Sequence, residues 1–287
     1  MDSRQEFLIL LDLLAQVINA VRVSSIKDDN ERERLIYSHN LANRFIQYAL
    51  TQFHLCNAER VETLPSLGNV RVGDPASIDV LTRAAMEAFL VFHRVFYSPA
   101  TKDEKDYRYW TYKAAGLVQR QNLPDSIFEH AKQKAEEKRI LEEIFAKLDS
   151  NSIYKALGAT QRRRFIEGKE WNLWRWNREA NKVMSWQEIA SDAGFSVMLA
   201  SYMYRHLSGH AHSSSLSVLQ TQQAVVRNES ERLISPSINT MKILVANMIH
   251  EYTELFPEGQ PVLAKNGAST FVDTWIQIGQ RLDENLT

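Results

Sequence analysis

Across 287 residues there are only ten glycines and seven prolines, and apolar residues return every three or four positions almost throughout. Such a chain has few places to turn sharply, and a period near 3.6 buries its apolar stripes as amphipathic helices rather than strands. The spacing predicts a first helix on Leu10, Leu14, Val17, Ile18 and Val21. A second begins near Asp29-Asn30 and carries the stripe Leu41, Ala42, Phe45, Ile46, Ala49, Leu50 and Phe53. The two are expected to pack as an antiparallel hairpin. Pro65, Gly68, Gly73 and Pro75 mark residues 59–77 as a connector, and Asp74-Pro75 opens a third helix that runs to about Tyr97, where Pro99 stops it.

The third helix is almost entirely apolar. Its charged residues Asp79, Arg83, Glu87 and Arg94 fall on one strip, so it is expected to lie centrally in a bundle. A fourth helix holds Tyr109, Trp110, Tyr112 and Leu117. Pro124-Asp125 opens a fifth, whose mixed-charge run over 129–143 reads as a solvated face. Two more helical patterns lie near 237–256 and 269–286, while residues 215–227 fit strand or helix equally. The expectation is an all-α multi-helix bundle in one domain over 1–287: an N-terminal hairpin (1–58), a core (75–215) and C-terminal helices (216–287).

Composition narrows the functional classes. An apolar content of 44% and a charged content of 24% suit a soluble globular protein. Lys and Arg total 34 against 35 Asp and Glu, so no broad basic surface for nucleic acid is expected and any RNA contact is local. Cys56 is the one cysteine, which leaves no disulfide or cysteine-ligated zinc and reads as a small buried apolar residue. The N-terminal segment has no signal-peptide pattern, and its apolar run is broken by Asp12, Gln16 and Asn19; a cytoplasmic protein with no membrane partner is expected.

Chemistry concentrates in residues 205–212, Arg-His-Leu-Ser-Gly-His-Ala-His, which hold three of the eight histidines. Imidazole moves protons near pH 7 and guanidinium carries a permanent planar charge. RNA supplies its own nucleophile, so cleavage needs a base for the 2′-OH, an acid for the departing 5′-oxygen and a cation for the phosphorane. Arg205 suits the last role, and His210 or His212 the others. On an unbroken helix residues seven apart share a face, which favours Arg205 with His212; five apart they diverge by about 140°, so Arg205 with His210 requires a bend at Ser208-Gly209.

Arg205-His206-x3-His210 resembles the arginine, polar residue and histidine of the HEPN superfamily (higher eukaryotes and prokaryotes nucleotide-binding). A second resemblance, to a largely uncharacterised bacterial helical family, rests on Arg83-x3-Glu87, the 186–194 stretch and Tyr204-x2-Leu207-Ser208-x3-His212. The first implies helical bundles, many of them metal-independent ribonucleases of toxin–antitoxin, CRISPR and phage-defence systems, with active sites formed between two protomers. It therefore implies RNA as substrate, a homodimer, a defence or toxin role under a regulatory protein partner, and an HEPN-like core. Catalytic positions are then Arg205 with His212 or His210, supported by Arg83, Glu87, His206, Ser208 and Tyr204. The two resemblances point to different histidines, and the choice stays open. No cofactor is expected.

Plainer readings compete. A histidine-rich helix end can cap carbonyls, and Arg83–Glu87 can be an ordinary surface ion pair or face an interior polar cleft with Arg205. His206 and His210 share a helical face suited to metal, yet no HExxH and no carboxylate close in sequence accompany them, so no metal site is expected. The tryptophans read as core or interface anchors rather than base-stacking platforms, and Arg162-Arg163-Arg164 as an exposed face or an RNA guide. Residues 186–196 resemble the start of a helix-turn-helix, but the apolar 197–204 that follows is better buried than laid in a DNA groove. The alternative to an enzyme is a non-catalytic helical module that binds protein or nucleotide.

Overall fold

Asp2 starts the first helix by a capping box: its carboxylate accepts from the Arg4 and Gln5 N–H groups, and the Gln5 side chain reaches back to the Asp2 N–H. The computed structural model describes residues 2–22, 28–57, 74–123, 131–211, 214–227, 230–265 and 267–281. Its helices are α1 (Ser3–Ala20), α2 (Asp29–Asn57), α3 (Pro75–Phe92), α4 (Lys102–Gln121), α5 (Ala131–Ser150), α6 (Ser152–Ala156), α7 (Ala159–Ile166), α8 (Trp186–Asp192), α9 (Val197–Ala211), α10 (Ser215–Arg227), α11 (Ser230–Leu255), α12 (Gln260–Leu263) and α13 (Ala268–Arg281). A two-residue antiparallel pair, β1 (Trp176–Asn177) and β2 (Lys182–Val183), is the sole strand structure among the described residues. The all-α multi-helix architecture is as the periodicity requires. The ambiguous 215–227 stretch is helical, and the third helix continues past Phe92 as a π-helical turn over His93–Tyr97. Residues 59–73 of the expected connector, Pro124-Asp125 and the first residues of the charge run lie outside the described residues.

The chain divides into two compact units, Met1–Phe92 with Trp186–Thr287, and His93–Ser185. The 75–215 stretch is therefore shared between them, with α3, α8 and α9 in the first.

In the first unit α3 packs against α2, α9 and α11. It is apolar on nearly every side, so Ile78, Ala85, Met86, Phe89, Leu90 and Phe92 are all buried. Phe89 meets Phe195 with ring centres 5.6 Å apart, and Phe92 stacks on Tyr252 of α11 at 6.2 Å. Each such side chain contributes about 1.5–3 kcal/mol by leaving water. Gln52 of α2 donates to Thr82 of α3 at 2.9 Å, a buried polar tie that fixes their register.

In the second unit α4 packs against α5 and α6. The Tyr107 hydroxyl donates to the Leu173 carbonyl at 2.9 Å, and burial pushes this phenol far above its usual pKa. Arg94 donates to the Trp176 carbonyl at 3.0 Å. Trp174 and Trp176 are core residues. Arg163 and Arg164 lie exposed on the surface, with Glu167 and Glu170 at 3.8 and 3.7 Å.

The contact that seats α9 is made by a glycine. The Gly279 carbonyl of α13 accepts from the Ser196 N–H at 3.1 Å, just before α9 begins. A Cβ at Gly279 would stand 2.7 Å from Ile243 Cγ2 on α11. Gly279→Ala is expected to destabilise the protein by about 1–3 kcal/mol through overpacking. Gly116→Ala on α4, where a Cβ meets nothing within 4 Å, is expected to be neutral or stabilising by up to about 1 kcal/mol. Urea titration of the two variants checks both; equal effects would contradict the packing argument.

Candidate functional site

Two helix starts position the site. On α3, Pro75 occupies the first turn and the Asp74 carboxylate accepts from the Ser77 N–H at 2.9 Å. One turn later Asp79 is carried into the interior, where only 1% of its surface is exposed. On the other side, Gly194 takes a φ of +84° to end α8. Ser196 then caps α9, its hydroxyl accepting from the Leu199 N–H at 3.1 Å.

From that start α9 runs unbroken through Gly209 to Ala211. Leu199, Met203 and Leu207 are its buried stripe, and His210 extends it. His206 lies at the edge of the same face, one turn before His210.

Both imidazoles close on Asp79. His206 Nε2 is 3.3 Å and His210 Nε2 3.4 Å from the same carboxylate oxygen, Oδ2. The other oxygen, Oδ1, accepts a short hydrogen bond from the Ser237 hydroxyl of α11. His210 is buried, while the His206 side chain is 17% exposed. Its outer face is covered by the Tyr202 ring, stacked at 5.0 Å and 12°. Burial, and second the Asp79 carboxylate, push the Tyr202 phenol up to about 12, so it stays a neutral O–H donor. Asp79, His206 and His210 form the described His/Cys/Asp/Glu group whose donor atoms, all within 4.8 Å of one another, could hold a metal ion.

One turn along α3, Arg83 crosses to α9 as well. It pairs with Glu87 at 3.0 Å, donates a short hydrogen bond to the Ser208 hydroxyl, and lies 5.5 Å from the Tyr204 ring centre. The ion pair itself lies within α3; the contact to Ser208 is what makes the half-buried Arg83 a strut between helices. Of the charged strip, Asp79 faces the two histidines and Arg83 faces Ser208 and Tyr204, while the Glu87 side chain is 35% exposed.

Arg205 sits elsewhere. It is exposed and, with Val197, Met198, Ser201, Tyr202, His206 and Leu216, lines an open groove beside α9. Because the helix does not bend at Gly209, Arg205 and the buried His210 point about 140° apart. The structure thus brings Arg205 together with His206 and not with His210. His212 lies outside the described residues. The sequence reading missed Asp79, Tyr202 and Ser237. An acid among the mostly apolar residues of the third helix was the available signal for Asp79; nothing local marks Ser237.

Fold and site together define an all-helical protein with a carboxylate–imidazole cluster between α3 and α9. Residues 67–224, more than half of the chain, match a family of unknown function (DUF5677), and the chain belongs to that family. No curated protein and no solved structure matches the chain significantly. Asp79, Arg83, Tyr202, Arg205, His206 and His210 all fall in the matched stretch; Ser237 lies beyond it.

Arg83→Ala removes the tie to Ser208 and is expected to cost about 1–2 kcal/mol. Glu87→Ala, at the wetter end of the pair, is expected to cost less than about 1 kcal/mol. Denaturant unfolding of both variants checks the order, and a reversed order would return the pair to an ordinary surface contact.

Proposed function

We propose that this protein is a metal-independent endoribonuclease of HEPN type, acting at the groove lined by Arg205 and His206. The observation that carries the reading is that this guanidinium and this imidazole face one solvent-open groove, with the Asp79 carboxylate behind the imidazole. In the tautomer with its proton on Nε2, His206 is held toward Asp79, and its Nδ1 lone pair is free to take the proton of a ribose 2′-OH. The freed oxygen attacks the adjacent phosphorus, Arg205 stabilises the phosphorane charge, and the 5′-oxygen leaves protonated with a 2′,3′-cyclic phosphate behind. His212, seven positions after Arg205, is the acid offered by spacing. Asp79 and Tyr202 are positioning residues, and Arg83, Glu87, Ser208 and Tyr204 brace the helix that carries the groove.

The adjacent Arg205-His206 pair that opens the Arg-His-x3-His motif, on a helix of an all-helical chain, supports the same reading, while the motif's second histidine, His210, stays in the buried cluster. So do Val197, Leu216, Val218 and Leu219, apolar side chains at 71%, 62%, 58% and 52% exposure around α9 and α10, which a second protomer would cover. A homodimeric defence or toxin effector in the cytoplasm, held in check by a protein partner, fits that assembly.

Incubation with mixed RNA in EDTA, followed by analysis of fragment ends, tests it. Cyclic-phosphate ends are expected from the natural chain. Arg205→Ala and His206→Ala of unchanged helicity are expected to be at least about 100-fold slower. Cleavage that persists in both variants removes the proposal, and RNA retained without cleavage by the natural chain would leave a binding module.

A further inference from the structure

The contacts around Asp79 do not satisfy one another. Oδ2 of Asp79, Nε2 of His206, and Nε2 and Nδ1 of His210 are buried atoms without a hydrogen-bond partner. Asp79 is 1% exposed and His210 4%. A buried carboxylate oxygen facing two imidazole nitrogens that do not donate to it is costly unless a positive charge lies among them.

The distances identify what would suit the space. In a tetrahedral zinc site with bonds of about 2.0–2.1 Å, neighbouring donor atoms stand roughly 3.3–3.4 Å apart. Asp79 Oδ2 lies 3.3 Å from His206 Nε2 and 3.4 Å from His210 Nε2. The histidines are four positions apart on one helical turn, the arrangement that lets a helix offer two imidazoles to one ion. Ser237 holds the non-ligating oxygen of Asp79, the outer contact that fixes a ligating carboxylate.

We propose that Asp79, His206 and His210 bind one divalent transition-metal ion of zinc type between α3 and α9, with a fourth tetrahedral position left to a non-protein ligand. The ion supplies the missing charge and pairs three of the four orphaned atoms at once. It ties α3, α9 and, through Ser237, α11 at a single point. The site rests on this geometry alone and goes beyond the cleavage reading. Where both hold, the metal replaces the proton on His206 Nε2, so metal-loaded and base-competent states of that side chain exclude each other.

The test uses the full chain stripped of metal by chelator and titrated first with Co2+ and then with Zn2+. One Co2+ per chain with the intense visible bands of tetrahedral cobalt is expected, displaced by Zn2+ with a rise in melting temperature. Asp79→Asn and His206→Gln are each expected to weaken binding by about 100-fold or more. Far-UV circular dichroism accompanies both. If Asp79→Asn does not fold, His206→Gln, at the partly exposed ligand, decides the matter. A weak octahedral cobalt spectrum, or unchanged affinity in the folded variant, overturns the site. Neither result bears on RNA cleavage in EDTA, so the two proposals fail separately.

Discussion

A single carboxylate placed inside an apolar helix organises the first unit. α3 buries nearly its whole circumference, so any charge on it must find its partners in the helices packed against it. Asp79 is flanked on two sides: the imidazoles of α9 stand 3.3 and 3.4 Å from Oδ2, and the Ser237 hydroxyl of α11 donates to Oδ1. Turning α9 by one residue would withdraw both histidines from the carboxylate. Hydrophobic burial brings these helices together without direction; the polar contact selects one rotation of α9.

The consequence for chemistry follows from the straightness of α9. An unbroken helix assigns neighbouring residues to different environments, so Arg205 goes to water, His210 to the interior, and His206 to the boundary between them. Among the described residues, His206 alone belongs to both the open groove and the buried cluster. Its ring is sandwiched between Tyr202 and His210, with ring centres 5.0 and 4.9 Å away, and is aimed at Asp79. A side chain held on so many sides loses little entropy on binding a substrate atom, a proton or an ion, and such preorganisation is what a catalytic or ligating group needs.

Much of this was legible along the chain and some was not. The helices are readable because burial on one face imposes the 3.6 period directly on residues such as Leu10, Leu14 and Val17, or Phe45, Ile46 and Ala49. The pairing of His206 with His210 is likewise a statement of spacing. The third vertex is not. Asp79 meets them across a gap of more than a hundred positions, and a carboxylate sought close in sequence to the histidines cannot be found there. Arg83 and Glu87 show the limit from the other side: their spacing of four is the same for a surface pair and for a strut, and only the packing of α9 brings Ser208, 125 positions away, to the guanidinium. Residues 215–227 fit two periods because their apolar residues, Leu216, Val218, Val225 and Val226 among them, fall at spacings that either period allows, and two-residue strands such as β1 and β2 have no period to read.

The polar contacts that hold the first unit share one design. Gln52 with Thr82, Asp79 with Ser237, Arg83 with Ser208, and Lys242 with Glu6 each join two different helices, and each has at least one partner buried or half-buried. Lys242 is the extreme case. Burial draws its ammonium below the usual lysine pKa while Glu6, at 3.0 Å, opposes the shift; Ser3 accepts a hydrogen bond and the Trp275 ring lies 4.0 Å away. Ties of this kind contribute modestly to net stability, because desolvation offsets most of what the pairing returns. Their effect is to penalise every alternative register by a stranded charge or hydroxyl. Two of the four, through Ser237 and Lys242, come from α11, outside the stretch that matches the family. The helices beyond that stretch therefore act on the site itself: α11 fixes the orientation of the carboxylate on which both histidines depend.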